Sequence, residues 1–304
     1  MTDKKRGKRR QRFSRSATDR IRLTADDLAI IRHVARYRFL RSTHLVKLMQ
    51  HRPSKKLIER IGALYHAGYL ERPRAQLDYY DRAGSAPLVY EIGRRGISVA
   101  SEVSGSTGSR RPYIEHELAI ADVMVGLEIA ARARSDVEVI DQQSLLELRA
   151  PSADRRWYLS VNARSNGHLM RLAVVPDAVF ALRFKRSGRT AYFFLEVDRG
   201  TMPISRADLS QSSYRRKLLT YQLALKAGQH VERFGFQNAR VLTVTTSQER
   251  VQSMLNVVSQ LTRGAESGRF LFIDARSLMA SDPLSATWAG RSRGVRLDAQ
   301  PRTG

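Results

Sequence analysis

The sequence contains no cysteine among its 304 residues. That absence excludes disulfide frameworks, thiolate zinc sites, iron–sulfur clusters and cysteine nucleophiles together. No apolar run approaches the roughly 18 residues needed to cross a bilayer, and residues 1–22 lack the apolar stretch of a secretory signal. A soluble, cytoplasmic protein with no membrane partner is expected. The chain also lacks a GxxxxGK[ST] loop and a GxGxxG turn, so P-loop hydrolysis and a dinucleotide site have no support. Its seven histidines form no HxH pair. His116 and Glu117 begin a pattern like the HExxH of zinc proteases, but Ile120 occupies the position of the second ligand.

Acids are scarce, with 29 Asp and Glu against 53 Lys and Arg, a formal charge of +24. So positive a chain repels itself and favours a polyanionic partner, for which double-stranded DNA is the leading expectation. An anionic membrane surface, or a charge excess that merely solubilises, are the rival readings. Ten of the basic residues lie in 1–22 beside only Asp3 and Asp19, so that segment carries +8 and the rest +16. With Phe13 and Ile21 as its only large apolar side chains, 1–22 is expected to be a disordered basic arm. An apolar content of 42% allows the remainder to build two domains.

Thr24 ahead of Asp26 and Asp27 marks a helix start, and Leu28, Ile31, Val34, Ala35 and Phe39 fall at helical spacing. A second helix is expected from Ser42 or Thr43, carrying Leu45, Leu48 and Met49. Pro53 and Ser54 open a third, with Leu57, Ile58, Ile61, Leu64 and Tyr65 inward and Gly68 at its end. Extended stretches at Tyr69–Glu71 and Leu88–Ile92, joined by a polar turn, are candidates for a β-wing. This order, with LIERIGALYHAGYLER ahead of PLVYEIGRRGISVA, resembles a winged helix-turn-helix domain over residues 23–103. By that resemblance the third helix enters the major groove and presents Ser54, Lys55, Lys56, Glu59 and Arg60 to DNA. A three-helix protein-interaction module with solvated lysines is the alternative.

Residues 104–112 have the Gly/Ser composition of a linker. Beyond it a domain over 113–280 is expected: a helix near Tyr113–Ala133, strands at Val137–Ile140 and Leu145–Leu148, and extended segments Leu172–Phe184 and Thr190–Asp198 around the turn KRSGR. A helix near Ala207–Ala227, a strand at Arg240–Thr246, a helix at Gln248–Thr262 and a strand at Phe270–Ile273 complete an α-β-β-β-α-β-α-β order. Residues 281–304 read as a second disordered tail.

Asp177 lies about as far before the KRSGR turn as Glu196 lies after it, so antiparallel pairing brings them together. Glu196 and Asp198 share a strand face. Converging carboxylates repel unless a cation neutralises them, and Mg²⁺ with its hard oxygen ligands is the natural candidate.

VVPDAVF and FFLEVD within this order resemble the PD-(D/E)XK restriction-endonuclease-like fold. HELAIADV (His116–Val123), PDAVF, EVDRGT (Glu196–Thr201) and KLLTY (Lys217–Tyr221), behind a winged helix, resemble more narrowly the replication-relaxation family of plasmids and integrative elements. The class implied is α/β, a winged helix followed by a nuclease-like domain. The resemblance implies Asp177 and Glu196 as Mg²⁺ ligands and Glu117 as a contributing first-helix acid, and the shared strand face adds Asp198 to the expected metal set. Asp198 stands where that fold has its lysine, and Lys217, sharing a helix face with Tyr221 and lying near Tyr214, is the substitute. Tyr221 is also the one tyrosine nominated as a nucleophile. The implied function is DNA binding in plasmid or conjugative-element replication or mobilisation, with Mg²⁺-dependent nicking and other replication or mobilisation proteins as partners. A non-catalytic initiator or transcriptional regulator with a degenerate nuclease-like domain is the alternative. So is a reading in which Glu196 and Asp198 are a solvated strand end.

Overall fold

A computed structural model of the chain describes residues 13–16, 21–78, 86–100, 113–149, 156–165, 167–263, 268–290 and 294–299. The chain divides into two compact units, Met1–Val125 and Gly126–Gly304. The fold is of the mixed α/β class.

In the first unit, α1 (Ala25–Tyr37) starts with a reciprocal cap. The Thr24 hydroxyl accepts from the Asp27 amide, and the Asp27 carboxylate accepts from the Thr24 amide at 2.7 Å. Ile30, Ile31 and Val34 turn inward from it and are fully buried. Strand β1 (Leu40–Arg41) leads into α2 (Ser42–Leu48), and α3 (Ser54–His66) adds Leu57, Ile61 and Leu64 to the same interior. Gly68, at φ +83°, turns the chain out of α3 into β2 (Leu70–Glu71). Strand β3 (Val89–Ile92) pairs antiparallel with both short strands, giving the order β1-β3-β2, and α4 (Arg94–Ala100) follows.

Much of the expected basic arm, residues 1–12 and 17–20, lies outside the described residues, as do part of the β2–β3 turn, 79–85, and the expected linker, 104–112. Arg15 is described and donates to the Glu71 carboxylate at 2.5 Å. Helix α5 (Ile114–Arg132) begins in the first unit. There Ile114 and Leu118 pack with Phe39 and Val89, and Arg38 pairs with Glu117 at 2.7 Å. The division between the units falls inside this helix.

The second unit continues with β4 (Val137–Ile140), α6 (Gln142–Glu147), β5 (Leu159–Ser165), β6 (His168–Val174), β7 (Ala178–Phe184) and β8 (Arg189–Val197). Then come α7 (Tyr214–Lys226), α8 (Gln229–Phe234), β9 (Ala239–Thr245), α9 (Gln248–Leu261), β10 (Phe270–Asp274), α10 (Ala275–Met279), β11 (Trp288–Ala289) and β12 (Gly294–Val295). Seven strands form one sheet in the order β12-β11-β10-β9-β8-β7-β4. Strands β8, β9 and β10 run parallel, which requires the crossovers that α7 and α9 supply. Leu218 and Tyr221 of α7 join Val251, Met254 and Val258 of α9 in one core with Phe194, Val241 and Phe272 of the sheet. Strands β5 and β6 form a separate two-stranded ribbon packed on α7.

Four expectations are corrected. The segment read as a strand at Leu145–Leu148 lies largely in α6, because Asp141 caps it, accepting from the Ser144 amide at 2.7 Å. Helix α7 begins at Tyr214 rather than Ala207, since Ser213 takes extended backbone and accepts from the Arg216 amide. The stretch Leu172–Phe184 is two strands, interrupted at Val175–Asp177, and its first part pairs with β5, for which no strand was expected. The stretch from Ser281 is not a disordered tail over its described part. It adds β11 and β12 to the sheet edge and buries Leu284, Trp288 and Leu297, whose wide spacing hides them from any periodicity argument.

Candidate functional site

The β7–β8 hairpin builds the centre of the second unit. Its register sets Ala178 opposite Leu195, so Asp177 and Glu196 are the next facing pair. The Asp177 amide donates to the Leu195 carbonyl at 3.0 Å, and its Oδ2 accepts from the Val197 amide at 2.7 Å. Asp177 is half-buried, and its charge is felt by Glu196.

Glu196 is 1% exposed. Both of its carboxylate oxygens are engaged by α7: Oε2 accepts from Lys217 Nζ at 2.5 Å and Oε1 from the Tyr221 hydroxyl at 2.7 Å. Burial first and the Asp177 charge second raise its carboxyl to about 7, against the opposing influence of Lys217 and Tyr221. For Lys217, burial acts downward but is outweighed by Glu196, Asp177 and Asp198, so its ammonium is held above its ordinary value. Tyr221 is fully buried, and burial together with Glu196 keeps its phenol protonated. That makes it a donor to Glu196 and unsuited, in this arrangement, to nucleophilic attack. Tyr214 is likewise buried, its hydroxyl 2.6 Å from Thr243 Oγ1.

Asp198 follows β8 directly, two residues beyond Glu196, and serves α9 instead. Arg250 grips it bidentately, with Nε to Oδ2 at 2.5 Å and Nη2 to Oδ1 at 2.9 Å, and Thr245 Oγ1 donates to Oδ2 at 2.6 Å. Arg250 Nη2 also reaches the Met202 carbonyl at 2.6 Å. Hence Asp198 is the neutralised half of a partly buried ion pair.

Among the described residues no three His, Cys, Asp or Glu side chains gather into a possible metal site. The donor set does not fit a divalent ion as arranged. Glu196 spends both oxygens on Lys217 and Tyr221, Asp198 spends both on Arg250, and Asp177 commits one to the Val197 amide. Glu117, expected as a further acid, pairs with Arg38 in the first unit. Asp122 on the same helix accepts from Arg41 at 2.5 Å and bonds to buried His44 at 2.7 Å.

On α3, Ser54, Lys55, Lys56 and Glu59 are exposed, and Ile58 is 48% exposed between them. Arg60 is directed otherwise. Its Nε donates to Asp27 Oδ1 at 2.7 Å and its Nη2 to the Arg22 carbonyl at 2.9 Å, and Asp27 is 0% exposed. This arginine neutralises a buried carboxylate and ties α3 to α1.

The model of the replication-relaxation family matches residues 31–238, more than half of the chain. The chain belongs to that family. No curated protein and no solved structure matches it. The replication-relaxation match takes in α2, α3, the β7–β8 hairpin and α7, and so Lys55, Lys56, Asp177, Glu196, Lys217 and Tyr221. It stops short of β9, so Thr243, Thr245 and Arg250 lie beyond it. These three were absent from the sequence reading because threonines inside a strand and an arginine in the first turn of a helix carry no spacing signal of their own.

Proposed function

We propose that this replication-relaxation protein acts in plasmid or conjugative-element replication or mobilisation by binding duplex DNA without hydrolysing it. The observation that carries the non-catalytic part is the closed state of Glu196, a buried carboxylate with both oxygens bonded to side chains of α7. A nuclease centre needs hard oxygens open to a cation and a positive group free to meet the phosphate. Here Lys217 is instead the counter-ion of Glu196. The second unit is a nuclease-like core in which Glu196 is tied to α7 instead of facing a cation.

DNA binding is supported by the charge of +24 and by the first unit's order of three helices with a small antiparallel sheet. In this reading the first unit is a winged helix-turn-helix whose α3 faces the groove. Ser54, Lys55 and Lys56 meet the DNA there, and Arg60 holds α3 in position.

A supercoiled plasmid incubated with the full chain and Mg²⁺ is the test. The expected result is retention of the plasmid in a protein complex, steeply weakened by salt, with no conversion to open circles. Conversion that disappears in Asp177→Ala and Glu196→Ala would overturn the non-catalytic reading. Binding that ignores salt and survives Lys55→Ala/Lys56→Ala unchanged would overturn the DNA-binding one.

A further inference from the structure

The β5–β6 ribbon has a feature that the family reading does not use. No Asp or Glu occurs between Arg155 and Pro176, while Arg156, Arg164, His168 and Arg171 do. In the register, Asn162 faces Arg171 and Arg164 faces Leu169, and cross-strand partners share a side of the sheet. Asn162, Arg164, Leu169 and Arg171 are all exposed, with Leu169 at 68%. The opposite side carries the pairs Leu159–Val174 and Val161–Leu172, of which Leu159, Leu172 and Val174 are buried in the second unit's core.

The ribbon is also held firmly. Gln229 of α8 accepts from the Ser160 amide at 3.2 Å and donates to its carbonyl at 2.7 Å. Arg171 donates to Ser160 Oγ at 3.2 Å on the outer side, and among the described residues neither Arg164 nor Arg171 is in an ion pair. A surface so made is cationic, ordered and unneutralised. Arginine and asparagine are also the side chains suited to phosphates and base edges.

We infer that the outer side of the β5–β6 ribbon is a second duplex-DNA contact, separate from α3 and located on the other unit of the chain. A two-stranded ribbon is narrow enough to enter the major groove. Arg164 and Arg171, two residues apart along the ribbon and on opposite strands, meet backbone phosphates, and Asn162, directly across from Arg171, reaches the base edges. This inference rests on the DNA-binding reading above.

The experiment measures affinity of the full chain for a labelled mixed-sequence duplex over a range of salt concentrations. It compares wild type, Arg164→Ala/Arg171→Ala, and a charge-matched pair, Lys185→Ala/Arg186→Ala, at the exposed turn between β7 and β8. Removing two phosphate contacts lowers the slope of log affinity against log salt by about 2 and weakens binding about tenfold or more at moderate salt. The Lys185/Arg186 pair is expected to leave the slope near that of wild type. If the ribbon variant matches wild type, or if both pairs reduce the slope equally, the ribbon is not a contact, although the DNA-binding reading stands. If wild type itself shows no salt-dependent binding, both fall. The altered side chains are exposed, so an unchanged thermal transition excludes misfolding as the cause.

Discussion

Replacing Glu196 by Gln tests the electrostatics of the second unit most directly. Glu196 is 1% exposed, and burial with the Asp177 charge moves its carboxyl from 4.5 to about 7. Between those values the folded chain keeps a proton that the unfolded chain has released, so stability falls as pH rises through that window. Below about pH 4.5 both states are protonated and the group contributes nothing. Above about pH 7 the full penalty is present. At about 1.4 kcal/mol for each tenfold change in the protonation equilibrium, it amounts to about 3 kcal/mol. Gln cannot ionise, yet it retains an acceptor oxygen for Tyr221 or Lys217. Urea unfolding followed by tryptophan fluorescence at several pH values from 5 to 8 reads the effect. The only two tryptophans, Trp157 and Trp288, both lie in the second unit. The difference between wild type and Glu196→Gln is expected to move in the variant's favour by up to about 3 kcal/mol across that range. A difference that stays constant with pH would refute the assignment of this titration to Glu196.

Two further substitutions probe the buried ion pairs. Arg250→Ala leaves the Asp198 side chain, 4% exposed, without its fork, and the second unit is expected to lose about 3 kcal/mol or more in the same fluorescence assay. Arg250→Lys recovers less than half of this, because an ammonium cannot grip both oxygens, and full recovery would show that charge alone matters. Arg60→Ala strands Asp27 at the start of α1 and is expected to lower the first unit's stability by about 2 kcal/mol or more. That loss is read as faster amide exchange across α1, and unchanged protection there would contradict the pairing.

The parts of this molecule legible in the sequence are those governed by short-range rules. Helices α1, α2 and α3 follow from the Thr24 cap, the apolar spacing and Gly68, and the pairing of β7 with β8 follows from a turn flanked by two apolar runs. Once that hairpin is set, alternation brings Asp177 beside Glu196, and the four-residue spacing of Lys217 and Tyr221 puts both on one side of α7. The strand misread at Leu145–Leu148 fails for a local reason as well, since the Asp141 cap outweighs the apolar run behind it.

Composition and periodicity by themselves determined the charge, the alternation of helices and strands and the nearness of Asp177 to Glu196, because each depends on residues close together in the chain or on sums over it, whereas Lys217 entered through the family resemblance. Only the tertiary structure decided what the neighbours of Glu196 do. Whether a carboxylate stays open to a cation or is closed by an amine and a phenol depends on how deeply α7 settles on the sheet. Whether Asp198 and Arg60 are available depends on partners, Arg250 and Asp27, that lie 52 and 33 positions away. The β5–β6 ribbon and the edge strands β11 and β12 were likewise decided by burial against distant elements, a quantity that no local pattern of residues encodes.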